Sequence, residues 1–102
     1  MVAVEVTEKF ADSLNEKFGG KGAKFSVMAG RKFDRIVIER APTYLPIAHA
    51  FVERETGKLF KAGGWAGPAK NARFDLSTPE GFSHAIEQAD IYGGYLYPDS
   101  AN

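Results

Sequence analysis

A chain of 102 residues has room for one hydrophobic core, so residues 1–102 read as a single domain. Apolar residues make up 44% and charged residues 25%, a globular rather than a disordered composition, and thirteen basic residues balance thirteen acidic ones, which argues against a protein that works by bulk positive charge. Cysteine is absent, which excludes disulfide scaffolds, zinc fingers, iron–sulfur sites and thiol catalysis. No apolar run approaches the roughly 18–20 residues of a membrane span, and Met1–Phe10 carries acids where a signal peptide carries bases, so the expectation is a small soluble intracellular domain.

In chain order, the first element is a helix. Phe10, Leu14 and Phe18 recur every four residues beside Ala11, with charged residues on the other faces; Thr7 is the expected N-cap and Gly19-Gly20 the end. The period then changes. Phe25 and Val27 alternate with Lys24 and Ser26 as a strand with one buried face, and Gly30-Arg31-Lys32 connects to a second strand, Phe33 to Arg40, rich in β-branched residues. Pro42 and Pro46 bracket a loop. Ile47 to Glu55 reads as a third strand, Thr56-Gly57 as a hairpin turn, and Lys58 to Lys61 as a fourth strand.

Residues 62–72 show neither a helical nor a strand period. After them Ser77-Thr78-Pro79-Glu80 starts a helix, either with Thr78 as N-cap and Pro79 in the first turn or with Ser77 and Glu80 as a capping box. Phe82, Ala85, Ile86 and Ala89 form its apolar stripe, Gly93-Gly94 ends it, and Tyr95-Leu96-Tyr97 is read as a short terminal strand. The fold class that buries every apolar face is α+β: an antiparallel sheet of three to four strands with an N-terminal and a C-terminal helix on one face, leaving the other face to solvent or a partner.

Charge is unevenly distributed along the chain. Residues 57–73 carry Lys58, Lys61, Lys70 and Arg73 without an acid, whereas residues 74–102 carry Asp75, Glu80, Glu87, Asp90 and Asp99 without a lysine or arginine. In the basic stretch, glycines permit close backbone approach, lysines suit phosphates and the indole of Trp65 suits stacking on a base. The alternative is that Trp65 folds back over the core and the cations are only solvated.

The run from Lys61 to Arg73, K-A-G-G-W-A-G-P-A-K-N-A-R, follows the hairpin A-F-V-E-R-E-T-G-K-L-F. Together with Gly30 to Val37 it resembles a family of short tailed-phage proteins with a Lys-Ala-x-x-Trp-x-x-Pro-Ala-Lys-x-x-Arg block, over roughly residues 30–76. The resemblance implies a phage or prophage origin and a host-cytoplasmic setting, and it transfers no catalytic residue.

His49 and His84 lack a close metal-ligand spacing, Glu53 and Glu55 share one strand rather than flanking a cleft, and no nucleophile elbow or His-Glu-x-x-His pair occurs; neither an enzyme nor a metal or other cofactor is expected. Tyr44, Trp65, Tyr92, Tyr95 and Tyr97 fall in loops or at element ends, where aromatic residues serve interfaces or close a sheet edge. The resulting expectation is a non-enzymatic binding module. Its partner is a host or phage protein met through Lys61, Trp65, Lys70, Arg73, Tyr95 and Tyr97, or alternatively a nucleic acid met by Lys58, Lys61, Lys70 and Arg73 with Trp65 stacking. An uncovered sheet edge also admits a homodimer.

Overall fold

A computed structural model describes residues 4–96. Helix α1 spans Val4–Phe18, and a 3₁₀ turn, Gly19–Lys21, closes it before Gly22, which takes the left-handed conformation at φ 74° that glycine adopts without strain. Strands β1 (Ala23–Met28), β2 (Phe33–Arg40), β3 (Ile47–Glu53), β4 (Lys58–Lys61) and β5 (Phe74–Asp75) follow, then helix α2 (Pro79–Gln88) and a second 3₁₀ turn, Gly94–Leu96. The strands form one open antiparallel sheet in the order of the sequence. The count is therefore five among the described residues, not three to four. The additional strand, β5, pairs Phe74 with Leu59 and Asp75 with Lys58, and two residues are too short to show a period.

Both helices pack into one core with the inner face of the sheet. Phe10, Ala11, Leu14 and Phe18 of α1 and Ala85 of α2 meet Ala23, Phe25, Ile36, Ile38, Ala50, Val52 and Leu59 from the first four strands. Phe10 and Phe82 join the helices edge to face, with ring centres 5.6 Å apart. Lys17 of α1 donates to the carbonyls of Ile86, Glu87 and Ala89, placing a cation on the C-terminal end of α2.

Register shifts between Ile36 and Val37, which pair with Ala50 and Ala48, so His49 is the extra residue of a β-bulge. The bulge lets His49 turn inward beside Ala50, and its ring stands edge-on to Phe25 at 5.1 Å.

Thr7 is not the N-cap of α1. It lies inside the helix, buried, and its hydroxyl donates to Asp34 at 2.9 Å. Asp34 is fully buried on β2, where its other oxygen accepts the Gly30 N–H and lies 3.5 Å from Arg54 Nε, while Arg54 also donates to the Gly30 carbonyl. One carboxylate thus ties α1, the β1–β2 hairpin and the end of β3 together. The backbone N–H of Arg54 still donates to Lys32 O, but β3 ends at Glu53 rather than Glu55 because the turn into β4 begins there, closed by Gly57 N on the Glu53 carbonyl.

Thr78 caps α2, its side chain accepting from Gly81 N with Pro79 in the first turn, as one of the two expected arrangements has it. The helix stops at Gln88, short of Gly93-Gly94. Ala89 turns to extended backbone, and the Asp90 carboxylate collects the N–H groups of Tyr92, Gly94 and Tyr95, winding the segment into a turn. The expected terminal strand is consequently a 3₁₀ turn at Tyr95 and Leu96, and Tyr97 lies outside the described residues.

Candidate functional site

Strand alternation places Met28, Phe33, Arg35, Phe51 and Phe60 on the sheet face turned away from the helices. Arg35, Phe51 and Phe60 form one cross-strand row, and Phe33 meets Phe60 edge to face at 5.6 Å. This outer face carries aromatic rings and a guanidinium where a solvated sheet would carry small polar residues.

The segment after β4 folds over it. Ala69 N donates to Lys61 O and Gly63 N to Gly67 O, with a bridge between Ala62 and Pro68, so the glycine-rich run is a narrow hairpin continuing β4. Gly63 is needed for that closeness: a Cβ there would stand 3.0 Å from the Pro68 carbonyl oxygen. The hairpin sets the Trp65 ring over Arg35, with the guanidinium carbon 4.5 Å from the ring centre, and Arg35 Nε donates to the Trp65 carbonyl at 2.8 Å. Trp65 remains 46% exposed, neither core nor unsupported. Beside it runs a groove of about 300 Å³ lined by Met28, Gly30, Lys32, Phe33, Arg35, Phe51 and Pro68.

Of the other residues expected at a contact surface, Lys70 is exposed, Lys61 is half-buried with Nζ donating to Ala62 O, and Arg73 is half-buried. Arg73 donates its backbone N–H to Leu59 O, extending the β4 pairing, while its Nε is enclosed without a hydrogen-bond partner. Tyr95 stands on the helix side of the sheet, away from Trp65. Its hydroxyl meets His49 Nε2 at 2.8 Å, and its ring packs beside Phe74. Burial pushes the Tyr95 hydroxyl pKa above its ordinary value, assisted by the charge of Asp90. Burial lowers that of His49 to about 4, with Asp90 opposing and Arg40 assisting. His49 and Tyr95 are thus a neutral buried pair.

Arg35 is the residue the sequence reading missed. Its signal was a cation between Phe33 and Val37 on the outward phase of β2, but its partners come from β1, β3 and a loop thirty residues away. A second exposed apolar group surrounds Arg40 at the other end of the sheet: Tyr44 is bonded through its N–H to Arg40 O, and the Tyr92 ring lies 4.8 Å from the guanidinium. His84 is exposed and edge-on to Phe74, and no group of three or more histidine, aspartate or glutamate side chains among the described residues could hold a metal ion. No helix among the described residues is long and apolar enough to cross a membrane.

No curated protein and no solved structure matches the chain. A family model does, over residues 2–98, and the chain therefore belongs to the family of unknown function DUF7717.

Proposed function

We propose that this chain is a phage-encoded, non-enzymatic binding protein that acts in the host cytoplasm on a host or phage protein, which it meets through the outer sheet face at Trp65. The observation that carries the reading is the half-exposed indole held over Arg35 by a hairpin whose own backbone bonds fix it. A large rigid aromatic with a cation behind it contributes binding area at little entropic cost, as hot-spot residues do. The groove beside it adds apolar floor without a paired nucleophile and base, which favours recognition over chemistry.

Nucleic acid is the second reading, favoured by the acid-free basic run through Lys58, Lys61, Lys70 and Arg73. It is weakened by the geometry of Trp65, one face of which is already covered by Arg35, and by the semi-enclosed position of Arg73.

Affinity capture from host lysate with the wild-type chain and Trp65→Ala tests the proposal. Proteins retained by the wild type after nuclease treatment and lost with Trp65→Ala are the expected result. Equal retention by both chains overturns it, and retention abolished by nuclease transfers the surface to nucleic acid. Sedimentation of the wild type at two concentrations distinguishes a second copy as the occupant.

A further inference from the structure

We propose that the groove beside Trp65 receives an extended acidic segment of the partner protein, with a carboxylate at Arg35 and an adjacent apolar side chain seated on Met28, Phe33 and Phe51. This inference rests on the outer face being the contact surface and specifies the chemistry of what meets it.

The argument begins with a carboxylate that the chain does not supply. Arg35 sits on β2 between Met28 of β1 and Phe51 of β3, half-buried between the Trp65 ring and the Phe51 ring, at 4.5 and 5.6 Å. Its Nε is bonded to a carbonyl and its Nη1 lies 3.5 Å from the Met28 sulfur, a weak acceptor. No carboxylate among the described residues forms an ion pair with it, whereas Arg54, three residues past Phe51 in the chain, has Asp34. A guanidinium fork is matched best by a carboxylate, and a desolvated one gains most from it.

The rim supports the same sign. Lys32 lines the groove with Nζ 5.8 Å from the Phe33 ring, Arg31 is exposed beside it, and Lys70 is exposed beyond Pro68. No acid lines the groove. Glu53 stands opposite Phe33 in the ladder, outside the groove's lining, and its carboxylate accepts the Thr56 hydroxyl. Charge complementarity therefore selects an anion.

Size and floor select a peptide over a polynucleotide. About 300 Å³ accommodates one or two side chains, and a thioether with phenyl edges suits an aliphatic or aromatic anchor. A polynucleotide presents a phosphate at every step and requires a cationic track, while the chain beyond residue 73 carries acids without a single lysine or arginine.

Because Trp65 is the only tryptophan and stacks on Arg35, which lines the groove, its emission reports on occupancy at Arg35. The full chain is titrated with decapeptides of serine and glycine around a central leucine, flanked by glutamates, by glutamines or by lysines, and with decathymidylate. The glutamate peptide is expected to change the emission saturably, to bind about tenfold more tightly than the glutamine peptide, and to weaken about tenfold at high salt and in Lys32→Glu. Tyr92→Ala, at the far patch, should bind as the wild type does. Equal binding of the glutamine peptide, tighter binding of decathymidylate, or no response to the glutamate peptide overturns the inference. If lysate capture still depends on Trp65 in those cases, the contact surface stands and only the acidic segment is rejected.

Discussion

Arg35 and Trp65 are joined twice, by a hydrogen bond from Nε to the tryptophan carbonyl at 2.8 Å and by the guanidinium lying 4.5 Å from the indole centre. The pair links the hairpin tip to β2, so removing it should loosen the tip and spare the core. Arg35→Ala is expected to cost about 1 kcal/mol of stability, to shift Trp65 emission to longer wavelength, and to speed hydrogen exchange at Gly63 and Ala69. Unchanged emission and exchange would show that the hairpin is held by its backbone bonds alone.

Asp34 should be far less tolerant. It is fully buried and serves Thr7, Gly30 and Arg54 together, so Asp34→Ala leaves a hydroxyl, an N–H and a cation without their acceptor. A loss of about 3 kcal/mol is expected, with about 1 kcal/mol for Thr7→Val, whose partner keeps its other bonds. Urea unfolding midpoints decide it, and equal losses in the two variants would refute the hub role.

Acid stability should depend on His49. Its folded-state pKa of about 4 lies below the ordinary 6.5, so the unfolded chain takes up the proton first as pH falls. The stability associated with the neutral ring is whole above about pH 6.5 and declines between about 6.5 and 4. Below that the loss is complete, at about 3 kcal/mol. Carboxylates titrate over the lower part of the same range, so His49→Phe serves as the reference: stability curves from pH 7 to 4 should slope less steeply in the variant. Parallel curves would exclude His49 as the source.

Asn15 closes the outer edge of the sheet. Its amide accepts from Phe25 N at 2.7 Å and donates to Phe25 O at 2.8 Å, as a neighbouring strand would. Asn15→Ala should cost about 1–3 kcal/mol and expose an unpaired edge. Concentration-dependent sedimentation of the variant, absent in the wild type, is the expected signature. A monomer at all concentrations would show that α1 shields the edge by bulk alone.

The local elements were legible from side-chain spacing. Phe10, Leu14 and Phe18 announced α1, alternation announced β1, the β-branched run announced β2, and Thr78-Pro79 marked the start of α2, because each signal depends on neighbours within one or two turns of chain. What tertiary structure decided is what depends on distant partners. Phe74–Asp75 is a strand only because β4 lies beside it, and Thr7 is a helix-interior donor only because Asp34 sits opposite. His49 points inward because of a one-residue register shift that no periodicity records. The same holds for the candidate site. Composition located the basic stretch and its indole, but the face they cover was chosen by Arg35, and Tyr95 went to the other side of the sheet with His49. A side chain's type is written in the chain, whereas the charge and the ring it will face are settled only when strands thirty residues apart are brought within a few ångströms.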